Sequence, residues 1–208
     1  MIFINKQMLS AHSQIKEFIK RKRRGNVFFP NDFRMFGNGD AIRKALSRLC
    51  RDAFIIRLSN GIYLYPKISK RIGTVYPSVE DIAKAIAEKE KARLIPTGVY
   101  ALNKLGLSTQ IPMKVVFLTD GSPRTIKIGK KATIHFKKTI AKYLSFKGNI
   151  SILAIFALKE IGKGNVTESE LIKIKEALTY ETTENIVYDA ALAPEWIADI
   201  LLKLNKYE

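Results

Sequence analysis

Five side chains between positions 43 and 51 can hold an anion or read a hydrogen-bonding edge: Arg43, Lys44, Ser47, Arg48 and Arg51. A helix over residues 40–53 turns about 100° per residue and gathers all five into an arc of roughly 140°. The opposite face takes Ile42, Ala45, Leu46, Leu49, Cys50 and Ala53. No carboxylate lies among the five. Arginine pairs with guanine edges, while lysine and serine hold phosphates. Such a face suits a helix laid in the major groove of DNA. A solvated basic helix face has the same composition, so the residues alone leave both readings open.

The neighbouring residues describe the elements that would position this helix. Residues 10–24 suit a helix, with Ala11, Ile15, Phe18 and Ile19 on one face and the basic run 20–24 before the stop at Gly25. A short strand is expected over 26–29, then a helix start at Pro30. Gly37-Asn38-Gly39 reads as a turn and not as a phosphate loop, since no Gly-Lys-Ser/Thr follows. Residues 54–58 and 62–65 are β-rich and flank Ser59-Asn60-Gly61, a strong hairpin signal. Helix, strand, helix, helix, hairpin is the order of a winged helix-turn-helix. Its wing would present Arg57, Asn60 and Lys67 to the DNA backbone or minor groove. A winged helix that docks onto another protein is the alternative.

The charge distribution agrees with a polyanionic partner. The 208 residues carry 36 Lys+Arg and 19 Asp+Glu, a net +17. Residues 1–75 hold +12, residues 76–145 hold +8 and residues 146–208 hold −3. With 47% apolar residues the chain can bury a core, which excludes global disorder. A single cysteine, Cys50, excludes an internal disulfide and a cysteine-based zinc site. His12 and His135 are too far apart in sequence to suggest histidine-based metal or triad chemistry. No apolar run approaches the about 18 residues of a membrane span. Residues 1–5 are too short and uncharged for a signal peptide. A cytoplasmic protein without cofactor, metal or membrane partner is expected.

In the middle segment, helices are expected over 78–93 and 99–105, and antiparallel strands over 114–119, 125–128 and 133–137. No Asp or Glu occurs from Gly121 to Lys159, whereas the cations there include Arg124, Lys127, Lys130 and Lys131. A magnesium-dependent nuclease needs clustered carboxylates. Asp120 with Glu88 or Glu90 is the nearest approach, so no enzyme is expected; a nuclease-like activity is the alternative. Arg124, Lys127, Lys130 and Lys131 are instead candidate DNA contacts, and His135 is expected to point outward from its strand.

The tail begins with a strongly apolar helix near 150–158, followed by a capping box at Thr167 and Glu170. Two more helices are expected over 181–192 and 194–205, the last with Trp196, Ile197, Ile200, Leu201 and Leu204 on one core-facing stripe. An acidic helical module suits a protein partner better than DNA. The expected fold class is α+β: an N-terminal winged helix-turn-helix (1–72), a small basic α/β domain with antiparallel strands (73–146) and a helical C-terminal segment (147–208) packed with it.

Residues 96–110 (PTGVYALNKLGLSTQ), 115–121 (VVFLTDG) and 124–129 (RTIKIG), with the wing ending GIYLYPK at 61–67, carry a family resemblance. Over about residues 10–140 the chain resembles the AbiEi-like antitoxins of type IV toxin–antitoxin (abortive infection) systems. The resemblance implies a winged helix that binds double-stranded operator DNA and represses its own operon, helped by the second domain. It also implies a C-terminal region that counteracts a nucleotidyltransferase-like toxin. The Thr97-Gly98 and Thr119-Asp120-Gly121 motifs also have a purely structural reading, as a helix cap and a turn.

Overall fold

The structure, a computed structural model, describes residues 10–110, 112–129 and 132–205. The chain is mixed α+β and divides into two compact units, Met1–Ile82 and Ala83–Glu208. Among the described residues no helix is long and apolar enough to cross a membrane.

The first unit opens with α1 (Ala11–Lys20), capped by Ser10, whose Oγ accepts from the Ser13 N–H at 3.2 Å. Ile15 and Ile19 are fully buried. The helix stops short of the expected 24. Arg24 lies beyond it, donating to the Pro66 carbonyl at 3.0 Å and stacking 4.7 Å over the Tyr65 ring. After β1 (Val27–Phe28) comes a 3₁₀ helix (Pro30–Phe36), started by Asp32 accepting from the Phe29 N–H at 2.8 Å. Next is α2 (Gly39–Arg51), whose N-cap Asn38 accepts from the Ala41 N–H at 2.9 Å. The strands β2 (Ile56–Ser59) and β3 (Ile62–Leu64) form a hairpin around Asn60-Gly61, where Gly61 takes φ +69°. The sheet order is β1-β3-β2, with both pairs antiparallel. Phe18, Phe28 and Phe33 pack edge-on or tilted within a core that also holds Ile42, Leu46 and Leu49.

Two local expectations change here. Ala53 does not belong to the apolar face of α2: it is exposed and has φ +53°. The Phe54 N–H bonds to Leu49 O and the Ala53 N–H to Cys50 O, so the helix closes in a Schellman turn with alanine at the left-handed position. Ala53→Gly is therefore expected to stabilise the first unit by about 0.5–1 kcal/mol, read as a higher denaturation midpoint. The second change lies in the stretch 66–77, which spans the boundary expected between 72 and 73. It contains the hairpin β4 (Lys67–Ser69) and β5 (Gly73–Val75). Its strands are short, and Ile68 and Ile72 are exposed, so no apolar alternation marks it.

α3 (Val79–Glu90) carries the chain into the second unit. Ser78 and Asp81 cap it reciprocally: Ser78 Oγ accepts from the Asp81 N–H at 3.0 Å, and the Asp81 carboxylate accepts from the Ser78 N–H at 3.2 Å. Then follow β6 (Leu94–Pro96), α4 (Val99–Lys104), β7 (Lys114–Thr119), β8 (Arg124–Ile128) and β9 (Ala132–Lys138). The sheet order is β6-β7-β9-β8. β6 pairs with β7 and β8 with β9 antiparallel, but β7 and β9 are parallel, with Val115 opposite Ile134 and Phe117 opposite Phe136. The sheet is thus not wholly antiparallel as expected. β8 acts as the crossover and takes the edge, leaving β9 beside β7.

The helices α5 (Ala141–Leu144), α6 (Asn149–Ile161), α7 (Glu168–Leu178), α8 (Thr183–Leu192) and α9 (Glu195–Asn205) complete the unit. Ala154, Leu158, Ile174, Leu178, Ile186, Ile197 and Leu201 form their common core, and Trp196, Ile200 and Leu204 pack against it. The stripe on α9 is core. Phe156 and Ala157 of α6 share a second cluster with Ile95 and Ala101, so the tail packs on the middle segment. The expected capping box at Thr167 and Glu170 is present.

The N-terminus of α6 is held by acidic side chains distant in sequence. Asp189 of α8 accepts from the Lys147 and Gly148 N–H groups, and Glu181 accepts from the Ile150 N–H at 2.9 Å. Burial pushes the Glu181 carboxyl up, but hydrogen bonds from Asn185 and from the Ile150, Thr182 and Ser151 N–H groups outweigh it and hold the group below the ordinary glutamate range. A carboxyl depressed in the fold stabilises it above the unfolded pKa, and that contribution is lost as pH falls through the folded value. Acid titration followed by Trp196 fluorescence is expected to be less steep in Glu181→Gln than in the wild type.

Candidate nucleic-acid interface

α2 is anchored by Ile42, Ala45, Leu46 and Leu49, all buried, which turns Arg43, Lys44, Ser47, Arg48 and Arg51 to the exposed side. On β2, exposed Arg57 donates through Nη2 to Asn60 Oδ1 at 2.7 Å and through Nε to Ser59 O at 3.4 Å. The arginine is thereby folded onto its own hairpin loop. A concavity of about 280 Å³ lies between α2 and the hairpin, lined by Arg43, Ser47, Arg57 and Asn60, with Cys50 and Tyr63 at its floor. Four of the residues expected from sequence therefore meet. Lys44, Arg48 and Arg51 lie along the exposed face of the same helix, outside that lining. Lys67 is exposed but sits on β4, in the second hairpin, and does not join them.

One interaction in this region was not anticipated. Asp40, three residues before Arg43, forms an ion pair with it. The i, i+3 spacing is visible in the sequence, and at 100° per residue Asp40 falls within the same arc, one turn before Arg43. Burial raises the Cys50 thiol pKa, partly opposed by Arg57, and burial likewise raises the Tyr63 phenol. Both stay protonated at neutral pH, so the charge of the concavity is that of its arginines.

In the second unit the candidates separate. Arg124 holds Glu90 with both Nη atoms, at 3.0 and 2.5 Å, and its guanidinium lies 5.3 Å over the Phe136 ring. Its charge is already matched by a fork-to-carboxylate pair. Lys127 is exposed on β8. Lys130 and Lys131 lie outside the described residues.

Two of the acids considered for metal chemistry are also committed, Glu90 to Arg124 and Asp120 to Arg93. Asp120 accepts from the Arg93 N–H at 2.7 Å and from its Nε at 3.0 Å, which holds its carboxyl below the usual aspartate range. Among the described residues no group of three or more His, Cys, Asp or Glu side chains could hold a metal ion. His135 alternates with buried Ile134 and Phe136, so it lies on the opposite face of β9; there it is half-buried, its Nδ1 2.9 Å from the Oγ1 of exposed Thr125. The Thr119-Asp120-Gly121 motif serves the turn. Thr119 Oγ1 accepts from the Gly121 N–H at 3.0 Å, and a Cβ at Gly121 would sit 2.9 Å from the Ala92 Cβ.

No curated protein matches the chain. Among solved structures the chain is similar to the RV2827C protein from Mycobacterium tuberculosis, at 11% identity and a TM-score of 0.46, over 93% of this chain and 81% of that one. A family model described as "Family of unknown function (DUF6088)" matches residues 14–186, most of the sequence, and the chain accordingly belongs to the DUF6088 family.

Proposed function

We propose that the first unit is a winged helix-turn-helix that binds double-stranded DNA, with α2 as the recognition helix and the β2–β3 hairpin as the wing. The reading is supported chiefly by the convergence of Arg43 and Ser47 of α2 with Arg57 and Asn60 of the hairpin on one concavity. Lys44, Arg48 and Arg51 extend that surface and have no acidic partner among the described residues. An exposed helix supplies side chains for base edges, and a hairpin beside it supplies phosphate contacts.

With the resemblance to AbiEi-like antitoxins, the full proposal is a cytoplasmic transcriptional autorepressor. It binds repeats upstream of its own gene and counteracts a nucleotidyltransferase-like toxin. The test is a mobility shift on that upstream DNA over a salt series. If about six phosphates are neutralised, affinity falls about 10³-fold between 50 and 200 mM salt. Flat salt dependence, or no preference for the upstream DNA, rejects the reading. The antitoxin role is tested by co-expression with a nucleotidyltransferase-like product of the adjoining gene.

The Asp40–Arg43 pair makes a signed prediction. Removing the carboxylate frees Arg43 and removes a negative charge from the DNA-facing surface. Asp40→Asn is expected to tighten DNA binding about threefold to tenfold at low salt, and less at high salt. The same mobility shift measures it.

A further inference from the structure

The Thr97-Gly98 motif has no part in the proposed DNA-binding surface, yet it lines a separate cavity of about 310 Å³ in the second unit. Three lysines converge there: Lys114 at the start of β7, Lys137 near the end of β9 and Lys159 on α6. The Lys114 and Lys137 side chains make no hydrogen bond or ion pair among the described residues. The Lys159 ammonium is aimed by aromatic neighbours: it donates to Tyr143 Oη at 2.6 Å and lies 5.8 Å from the Phe156 ring centre. An ammonium has three protons, so two remain for a ligand. Glu160 is the one carboxylate of the lining.

Gly98 keeps this arrangement open. Its φ is +61°, and a Cβ there would stand 3.3 Å from a Glu160 carboxylate oxygen. Thr97 Oγ1 donates to the Val116 carbonyl at 3.2 Å and ties the motif to β7. The motif thus builds one wall of the cavity and sets the place of its single acid.

We propose that this cavity binds a small phosphorylated molecule, with the three lysines on its phosphate and Glu160 accepting from a hydroxyl or amine of the remainder. Three ammonium groups facing one hollow repel each other until an anion sits between them. The volume is at the lower end of the roughly 300–1,000 Å³ of small-ligand sites, which favours a nucleotide-sized ligand over a strand of nucleic acid. The site is independent of the DNA-binding reading and stands or falls without it.

The test is isothermal titration calorimetry of the full chain with pyrophosphate, AMP and ADP. Binding is expected in the wild type and at least about tenfold weaker when Lys114→Ala and Lys137→Ala are combined, since two charge-assisted hydrogen bonds disappear. Glu160→Gln removes the like charge and tightens pyrophosphate by about threefold or more. Lys163→Ala, an exposed lysine outside the lining, leaves binding unchanged. The substituted side chains are exposed, and circular dichroism checks each fold. No binding tighter than about 1 mM for any probe overturns the proposal, as does binding indifferent to the lysine pair. Displacement of ADP by duplex DNA, in a chain already carrying Arg48→Ala and Arg51→Ala, puts a nucleic-acid phosphate in the cavity and also overturns it.

Discussion

Asp189→Ala is expected to destabilise the second unit by about 3–5 kcal/mol. Asp189 is fully buried on α8. Its carboxylate accepts from the Lys147 N–H at 2.8 Å, from the Gly148 N–H at 2.9 Å and from Ser151 Oγ. These donors sit at the start of α6, whose N-cap Gly148 has no side chain to supply a cap. Alanine leaves all of them facing an apolar interior without an acceptor. An asparagine side chain would keep one acceptor but turn an NH₂ toward donors, so Asp189→Asn is expected to recover only part of the loss. Ser151→Ala removes a single bond to the carboxylate and is expected to cost about 1–2 kcal/mol. Gly148→Ala attacks the same joint sterically, because its Cβ would come within 2.6 Å of the Glu181 carboxylate. The single tryptophan, Trp196, packs in the core of this unit, so its fluorescence during urea unfolding reports the unit specifically. An unchanged midpoint for Asp189→Ala contradicts the role assigned to it.

That anchor shows which part of the structure was hidden in the sequence. Asp189 reads as one more acid in an acidic tail, and nothing within a few residues distinguishes it. Its role comes from Gly148, 41 positions earlier, brought close by the packing of α6 and α8. The Arg124–Glu90 and Arg93–Asp120 pairs are of the same kind, spanning 34 and 27 positions. Both reassign residues that looked available for phosphate or metal. Local signals were legible: the amphipathic α2, the Asn60-Gly61 hairpin and the Thr167–Glu170 cap each depend on interactions within a turn or two. The parallel pairing of β7 with β9 was not legible, because three strand-like runs in a row carry no mark of which ones become neighbours. β6 was missed for its length, three residues ending at Pro96. Of the candidate site, residue types and helical face were readable from α2 alone. The diversion of Arg43 toward Asp40 was an i, i+3 signal left unread, whereas the meeting of α2 with the hairpin required the fold.

Replacing Arg43, Lys44, Arg48 and Arg51 together by glutamine is expected to abolish specific DNA binding, with at least about a 10³-fold loss at low salt. Glutamine has good helix propensity, and the buried face of Ile42, Ala45, Leu46 and Leu49 is untouched, so α2 should persist. Circular dichroism checks that. The salt dependence then divides the roles among the four. Every phosphate left without its cation lowers the log–log slope by about 0.9, so four such phosphates would lower it by about 3.6. A smaller fall means that some of these side chains face base edges. Arg48→Ala alone is expected to cost about 1–3 kcal/mol on the preferred sequence and to relax preference at one position. Lys127→Ala, on the exposed face of β8, is expected to weaken all sequences alike or not at all. Arg57→Ala also frees Asn60, because the two hold each other at 2.7 Å, so its loss should exceed that of Asn60→Ala. If the four-glutamine chain still shifts the upstream DNA as the wild type does, α2 is not the reading helix, and the concavity between it and the hairpin must serve a different partner.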